Sequence, residues 1–129
     1  MAGGPVSWST KLQATVALST TEAEYMALTR AAQQALWMYS FMSEVGLQLE
    51  FPAILHGDNA ASIALTLNTK GHAHAKHIDI CHHYIRECIA AGEISLIQIP
   101  SEENLADIFT KPLPCVIHQK LVRALKLDS

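Results

Sequence analysis

Ser19-Thr20-Thr21-Glu22 ends an apolar run, Ala14-Thr15-Val16-Ala17-Leu18, and opens a long helical pattern. Serine followed three residues later by glutamate is a capping box, so the helix starts there. The pattern continues to about Val45, where Gly46 supplies a C-terminal stop. At 100° per residue, Ala27, Leu28, Ala31, Ala32, Ala35, Met38, Tyr39, Met42 and Val45 gather on one side. Glu24 falls within that apolar stripe, whereas Glu22, Arg30, Gln33, Ser40 and Glu44 fall on the opposite, polar side. Capping and solvent account for Glu22. An inward Glu24 needs a partner or a metal, because a buried carboxylate is costly alone. The competing reading has Glu24 reaching water from the first turn, favoured by the helix dipole.

Around this helix the chain alternates elements. Val6-Ser7-Trp8-Ser9 and Ala14–Leu18 read as strand segments, joined by a polar bend. Ala53-Ile54-Leu55-His56-Gly57 is a short strand delivering Asp58, and a second helix runs from Asn59 to Leu67. A third helix spans about Ile78 to Ala91 and stops at Gly92. Ile94 to Ile99 is another strand, ended by Pro100. Asn104 to Thr110 forms a short helix carrying Asp107, and Val116 to Leu127 a basic terminal one. Strands alternating with helices predict an α/β layer fold, with functional residues at the carboxyl ends of strands.

Composition narrows the class. A chain of 129 residues, half of them hydrophobic and 16% charged, is one domain's worth and favours a packed globular core over disorder. The net charge of -3 argues against a wholesale basic nucleic-acid footprint and leaves room for a local patch. No apolar run is long enough for a bilayer, and no signal peptide pattern opens the chain. Three cysteines, Cys81, Cys88 and Cys115, are odd in number and point to a reducing, intracellular compartment.

Glu24, Asp58 and Asp107 lie on three separate elements. Asp58 alone reads as an N-cap, and Asp107 alone as a solvated first-turn residue. Together they form the oxygen donor set that a magnesium site for phosphodiester chemistry requires. A rival set is His74, His77, Cys81 and Cys88, of which the last three share a helix face and could hold zinc. The absence of a Cys-x-x-Cys motif favours Ile78, Cys81, Ile85, Cys88 and Ile89 as plain core. Trp37 and Phe41, one turn apart outside the main stripe, are expected to pack on a neighbouring helix, with a partner-docking patch as the alternative.

The stretches Val16-Ala17-Leu18-Ser19-Thr20-Thr21-Glu22-Ala23-Glu24-Tyr25, Asp58-Asn59, Lys76-His77-Ile78-Asp79-Ile80 with Ile85-Arg86-Glu87, and Leu105-Ala106-Asp107-Ile108-Phe109-Thr110-Lys111-Pro112-Leu113-Pro114 occur in one order. They resemble the ribonuclease H domain of copia-type LTR retrotransposon Pol polyproteins, with the likeness running from Gly3 to Leu113. The resemblance implies an α/β, ribonuclease H-like mixed sheet flanked by helices, followed by a basic tail over residues 114–129. It implies hydrolysis of the RNA strand of an RNA–DNA hybrid by a two-metal mechanism using Mg²⁺ or Mn²⁺. The implied partners are the hybrid and the reverse transcriptase portion of the same polyprotein, with no membrane. The catalytic and metal-binding roles fall on Glu24, Asp58 and Asp107. Asn59, Lys76, His77 and Lys111 are implied nucleic-acid contacts. His118, Lys120, Arg123 and Lys126 either touch the nucleic-acid backbone or form a solvated basic tail.

Two departures from the family pattern stand out. The family's first catalytic aspartate lies on a strand upstream of the Gly-Gly-Pro segment, and here no Asp or Glu precedes Glu22. The expectation is therefore a domain cut at its N-terminus, lacking the first two strands, with exposed strand edges and weak or no catalysis. As a different class of function, such a chain would be a non-catalytic remnant binding nucleic acid or protein. The loop before the last catalytic helix reads Pro100-Ser101-Glu102-Glu103, without the histidine found in cellular relatives.

Overall fold

The computed structural model describes residues 4–10, 19–67 and 76–127. They divide between two compact units, one of residues 15–98 and one of residues 1–14 with 99–129.

The larger unit is built on helix α1, Thr20–Glu44. Ser19 caps it as the sequence predicts, its hydroxyl accepting the Glu22 amide at 3.2 Å. Val45 forms the C-cap and Gly46 follows at φ +86°, a left-handed conformation that costs glycine little. Strand β1, Ala53–Gly57, leads through α2, Ala60–Leu67, and α3, Lys76–Ala90, to β2, Ile94–Gln98. The two strands pair in parallel, Ala53 opposite Ile94 through Gly57 opposite Gln98. Among the described residues they are the whole sheet. The result is a small α/β arrangement, two parallel strands flanked by helices.

Its core is Tyr25, Leu28 and Ala32 of α1 against Ile85 and Cys88 of α3 and Ile94 of β2. Leu36, Leu55, Cys81, Tyr84, Ile89 and Leu96 pack around them. The expected core role of Ile85 and Cys88 is what the structure shows, with Cys81 and Ile89 half-buried beside them. Burial pushes the Cys88 thiol and the Tyr84 phenol above their ordinary pKa ranges. Cys88 is thus held as a neutral, packing group. Period-two alternation turns Ala53, Leu55, Ile94 and Leu96 toward this core and leaves Ile54 and Ile97 exposed on the other face.

The buried face of α1 differs from the helical-wheel expectation. Glu22, Tyr25, Leu28, Thr29 and Ala32 are buried, whereas Ala27, Ala31 and Val45 are exposed. The true stripe is rotated roughly a quarter turn from the one drawn by counting alanines as apolar. Glu22, placed on the polar side, is only 8% exposed, and Glu24 is half-buried at the stripe's flank. Thr29 enters the core because its hydroxyl donates to the Tyr25 carbonyl at 3.0 Å, so no polar group is orphaned. Among the described residues no helix covers Trp37 and Phe41. They are exposed and stack on each other, centroids 5.6 Å apart.

The smaller unit holds 3-10 turns at Ser101–Glu103 and Leu105–Phe109, and helix α4, Cys115–Ala124. Leu121 and Leu125 are its buried apolar residues. The predicted strand at Val6–Ser9 is irregular, with Val6 and Trp8 exposed, because no described strand offers it a ladder partner. The expected strand at Ala14–Leu18 lies outside the described residues.

Candidate functional site

Asp58 follows directly on the end of β1. The residue before it, Gly57, lets the strand end come close to two helices. A Cβ added there would meet Ile63 Cδ1 of α2 at 3.4 Å and Leu28 Cδ2 of α1 at 3.7 Å. Leu28 lies one turn beyond Glu24, on the neighbouring i+4 position of the same helix. The strand end that carries Asp58 is therefore seated against the turn of α1 that follows Glu24. Both carboxylates belong to the larger unit.

Asp58 is not the N-cap of α2. Asn59 takes that role, its Oδ1 accepting the Ser62 amide at 3.0 Å while its carbonyl accepts from Ser62 Oγ at 2.9 Å. Capping is thus delegated to the asparagine, and the half-buried Asp58 carboxylate stands outside it. Asn59, expected as a nucleic-acid contact, has this structural duty.

Asp107 belongs to the smaller unit and repeats the arrangement. Asn104 caps its 3-10 turn, accepting the Ala106 amide at 3.2 Å. Asp107 itself is 7% exposed, so solvation in a first turn does not describe it. Lys111 Nζ donates to Asp107 Oδ1 at 2.9 Å, and Asn104 Nδ2 approaches the same oxygen at 3.5 Å. The short ammonium contact is a charge-assisted hydrogen bond, the strong kind. Sequence reasoning placed Lys111 on nucleic acid and missed this contact. The i,i+4 Asp–Lys spacing was the signal that could have found it.

The side chains of Lys76 and His77, like all of His72 and His74, lie outside the described residues. The zinc alternative through His74 and His77 therefore falls there too. Among the described residues no three His, Cys, Asp or Glu side chains are grouped as a metal cluster. Glu24, Asp58 and Asp107 offer carboxylate oxygens, the donor type that hard cations take, and the cation that the structure places on Asp107 is the Lys111 ammonium.

Comparison with known proteins finds relatives among retrotransposon Pol polyproteins. Over 113 residues the chain is 42% identical to the "Retrovirus-related Pol polyprotein from transposon TNT 1-94" of Nicotiana tabacum, covering 87% of this chain and 8% of that protein. It is 35% identical over 119 residues to the Pol polyprotein from transposon RE2 of Arabidopsis thaliana, covering 92% of this chain and 8% of the relative. The transposon RE1 polyprotein of the same plant is 36% identical over 109 residues, 84% of this chain and 7% of the relative. No protein-family model matches the chain, and no solved structure does. The chain is homologous to a region of retrotransposon Pol polyproteins, and it spans less than a tenth of their length.

Proposed function

We propose that this chain is the ribonuclease H-like portion of a copia-type retrotransposon Pol polyprotein, acting on the RNA strand of RNA–DNA hybrids. Its ligands for Mg²⁺ or Mn²⁺ are Glu24, Asp58 and Asp107. The observation that supports the reading is the seating of Gly57, the residue before Asp58, against Ile63 of α2 and against Leu28 of α1, one turn after Glu24. Homology over most of the chain to retrotransposon Pol polyproteins supports it from a separate direction.

Glu24, Asp58 and Asp107 would hold the divalent ions, which would supply Lewis-acid activation of water and charge stabilisation at the leaving 3′ oxygen. The chain's own residues position them. Glu24 works from a helix fixed by the Tyr25–Leu28–Ala32 core, and Asp58 from a strand end whose neighbour Asn59 handles the cap. Asp107 works from a turn pinned by Asn104. The hybrid is recognised by shape, phosphates and 2′-hydroxyls, with Asn59, Lys76, His77 and Lys111 as the contacting side chains. Partnership with a reverse transcriptase portion follows from the same reading.

The carboxylates that this stretch supplies to the reading all lie at or after Glu24. A second reading is a non-catalytic module that binds nucleic acid or protein. Cleavage of a labelled hybrid in Mg²⁺ or Mn²⁺ separates the two. The chain alone is expected to give little product. Joined to the residues that precede the matching stretch in the tobacco relative, it is expected to cleave, and Asp107→Asn to abolish that. A folded, extended chain without cleavage leaves the binding reading in possession.

A further inference from the structure

Asp107 and Lys111 form a partly buried i,i+4 ion pair. Asp107 is almost wholly buried, whereas the Lys111 side chain is half exposed. The backbone fixes their relation: the Lys111 amide donates to the Asp107 carbonyl at 3.0 Å, returning the lysine over the carboxylate one turn back. Lys111 Nζ then meets Oδ1 at 2.9 Å, and Asn104 approaches the same oxygen. A buried carboxylate left without a cation is costly, so this contact stabilises Asp107 in the absence of metal. A divalent ion at the same carboxylate would face the ammonium at close range, where like charges repel.

We propose that Lys111 is a cation place-holder for Asp107, occupying the carboxylate until a divalent ion displaces it. This rests on the reading of Asp107 as a metal ligand. Lys111 acts as a positioning residue. Its half-exposed stem lets the ammonium swing outward on displacement while its backbone stays anchored. The displaced ammonium then becomes available to a phosphate of the hybrid, which reconciles its position on Asp107 with its assignment as a nucleic-acid contact. Metal loading and hybrid binding are thereby linked through one side chain.

The test is Mn²⁺ binding to the chain, measured by titration calorimetry, for wild type, Lys111→Met, Lys111→Arg and the charge-matched surface control Arg30→Met. The proposal expects Lys111→Met to bind about two- to fivefold more tightly, the range spanned by a partly exposed ion pair. Lys111→Arg and Arg30→Met should match wild type. Thermal unfolding supplies the second readout. Without metal, Lys111→Met melts below wild type, and added Mg²⁺ closes the gap because a cation again sits on Asp107. A purely structural lysine would lower the melting temperature without rescue by Mg²⁺. Equal Mn²⁺ affinity in all four proteins overturns the place-holder and leaves the nuclease reading standing. Mn²⁺ binding to none of them overturns the place-holder in this chain and leaves the nuclease reading to be decided on the extended chain.

Discussion

The two halves of α1 obey different rules. In the first half Tyr25, Leu28, Thr29 and Ala32 are buried, and the Tyr25 hydroxyl reaches the Cys81 carbonyl of α3 at a long 3.5 Å. In the second half Trp37 and Phe41 are exposed, as is the C-cap residue Val45. That half is held at its end by Tyr39, whose hydroxyl donates to the Glu50 carbonyl at 2.8 Å and whose ring lies against Phe51. The contrast teaches that continuous helical hydrogen bonding does not imply continuous packing. The first half is fixed by tertiary contacts and can hold Glu24 in a defined place. Beyond Leu36, the described contacts of the second half are those of the helix itself and of Tyr39, and its exposed face presents an aromatic surface.

Tyr25→Ala should show the largest difference between the halves. It empties a site at the centre of the core and is expected to cost about 3–5 kcal/mol in chemical denaturation. A loss below about 1 kcal/mol would mean that the first half is not the anchor. Ser19→Ala removes the cap acceptor of the Glu22 amide and should cost about 1 kcal/mol. Trp37→Ala removes an exposed stacked pair, with an expected change of about 0.5 kcal/mol or less. A change as large as that of Tyr25→Ala would erase the distinction altogether.

A finer probe is pH. Cys88 packs against the buried half of α1, and burial raises its thiol pKa in the folded chain. The folded state therefore prefers the neutral thiol. Its contribution is fully present below the ordinary thiol pKa, about 8.5, and is lost as pH rises through the raised folded value. Denaturation midpoints across alkaline pH should fall more steeply for wild type than for Cys88→Val. Tyr84, raised by the same burial, keeps part of the slope in the variant. Parallel slopes would show that the thiol is not packed as described.

What could be read from the sequence follows from how local each signal is. The start of α1 at Ser19 and its stop at Gly46 depend on a hydroxyl three residues from an amide and on one left-handed backbone position. Both were legible, as was the stop of α3 near Gly92, at φ +73°. The buried face of α1 was not, because alanines make up much of the wheel's apolar side, and alanine is nearly indifferent to burial. Large residues decide the face, and Tyr25 pulls Glu22 and Thr29 inward with it. At Asp58-Asn59 two good caps stand side by side, and only geometry shows that the asparagine is used. The exposed faces of Ile54 and Ile97 were equally hidden, since parallel strands ordinarily read as covered on both sides.

The central claim is that α1 offers Glu24, not Glu22, to the chemistry at the Asp58 strand end. The direct test compares Glu24→Gln with Glu22→Gln in the extended chain, scoring cleavage of the RNA strand in a labelled hybrid with Mg²⁺. The account predicts that Glu24→Gln loses more than the roughly 10–100-fold typical of outer-shell changes, while Glu22→Gln retains activity once it is shown to be folded. Full activity in Glu24→Gln, with activity lost in a folded Glu22→Gln, would contradict it.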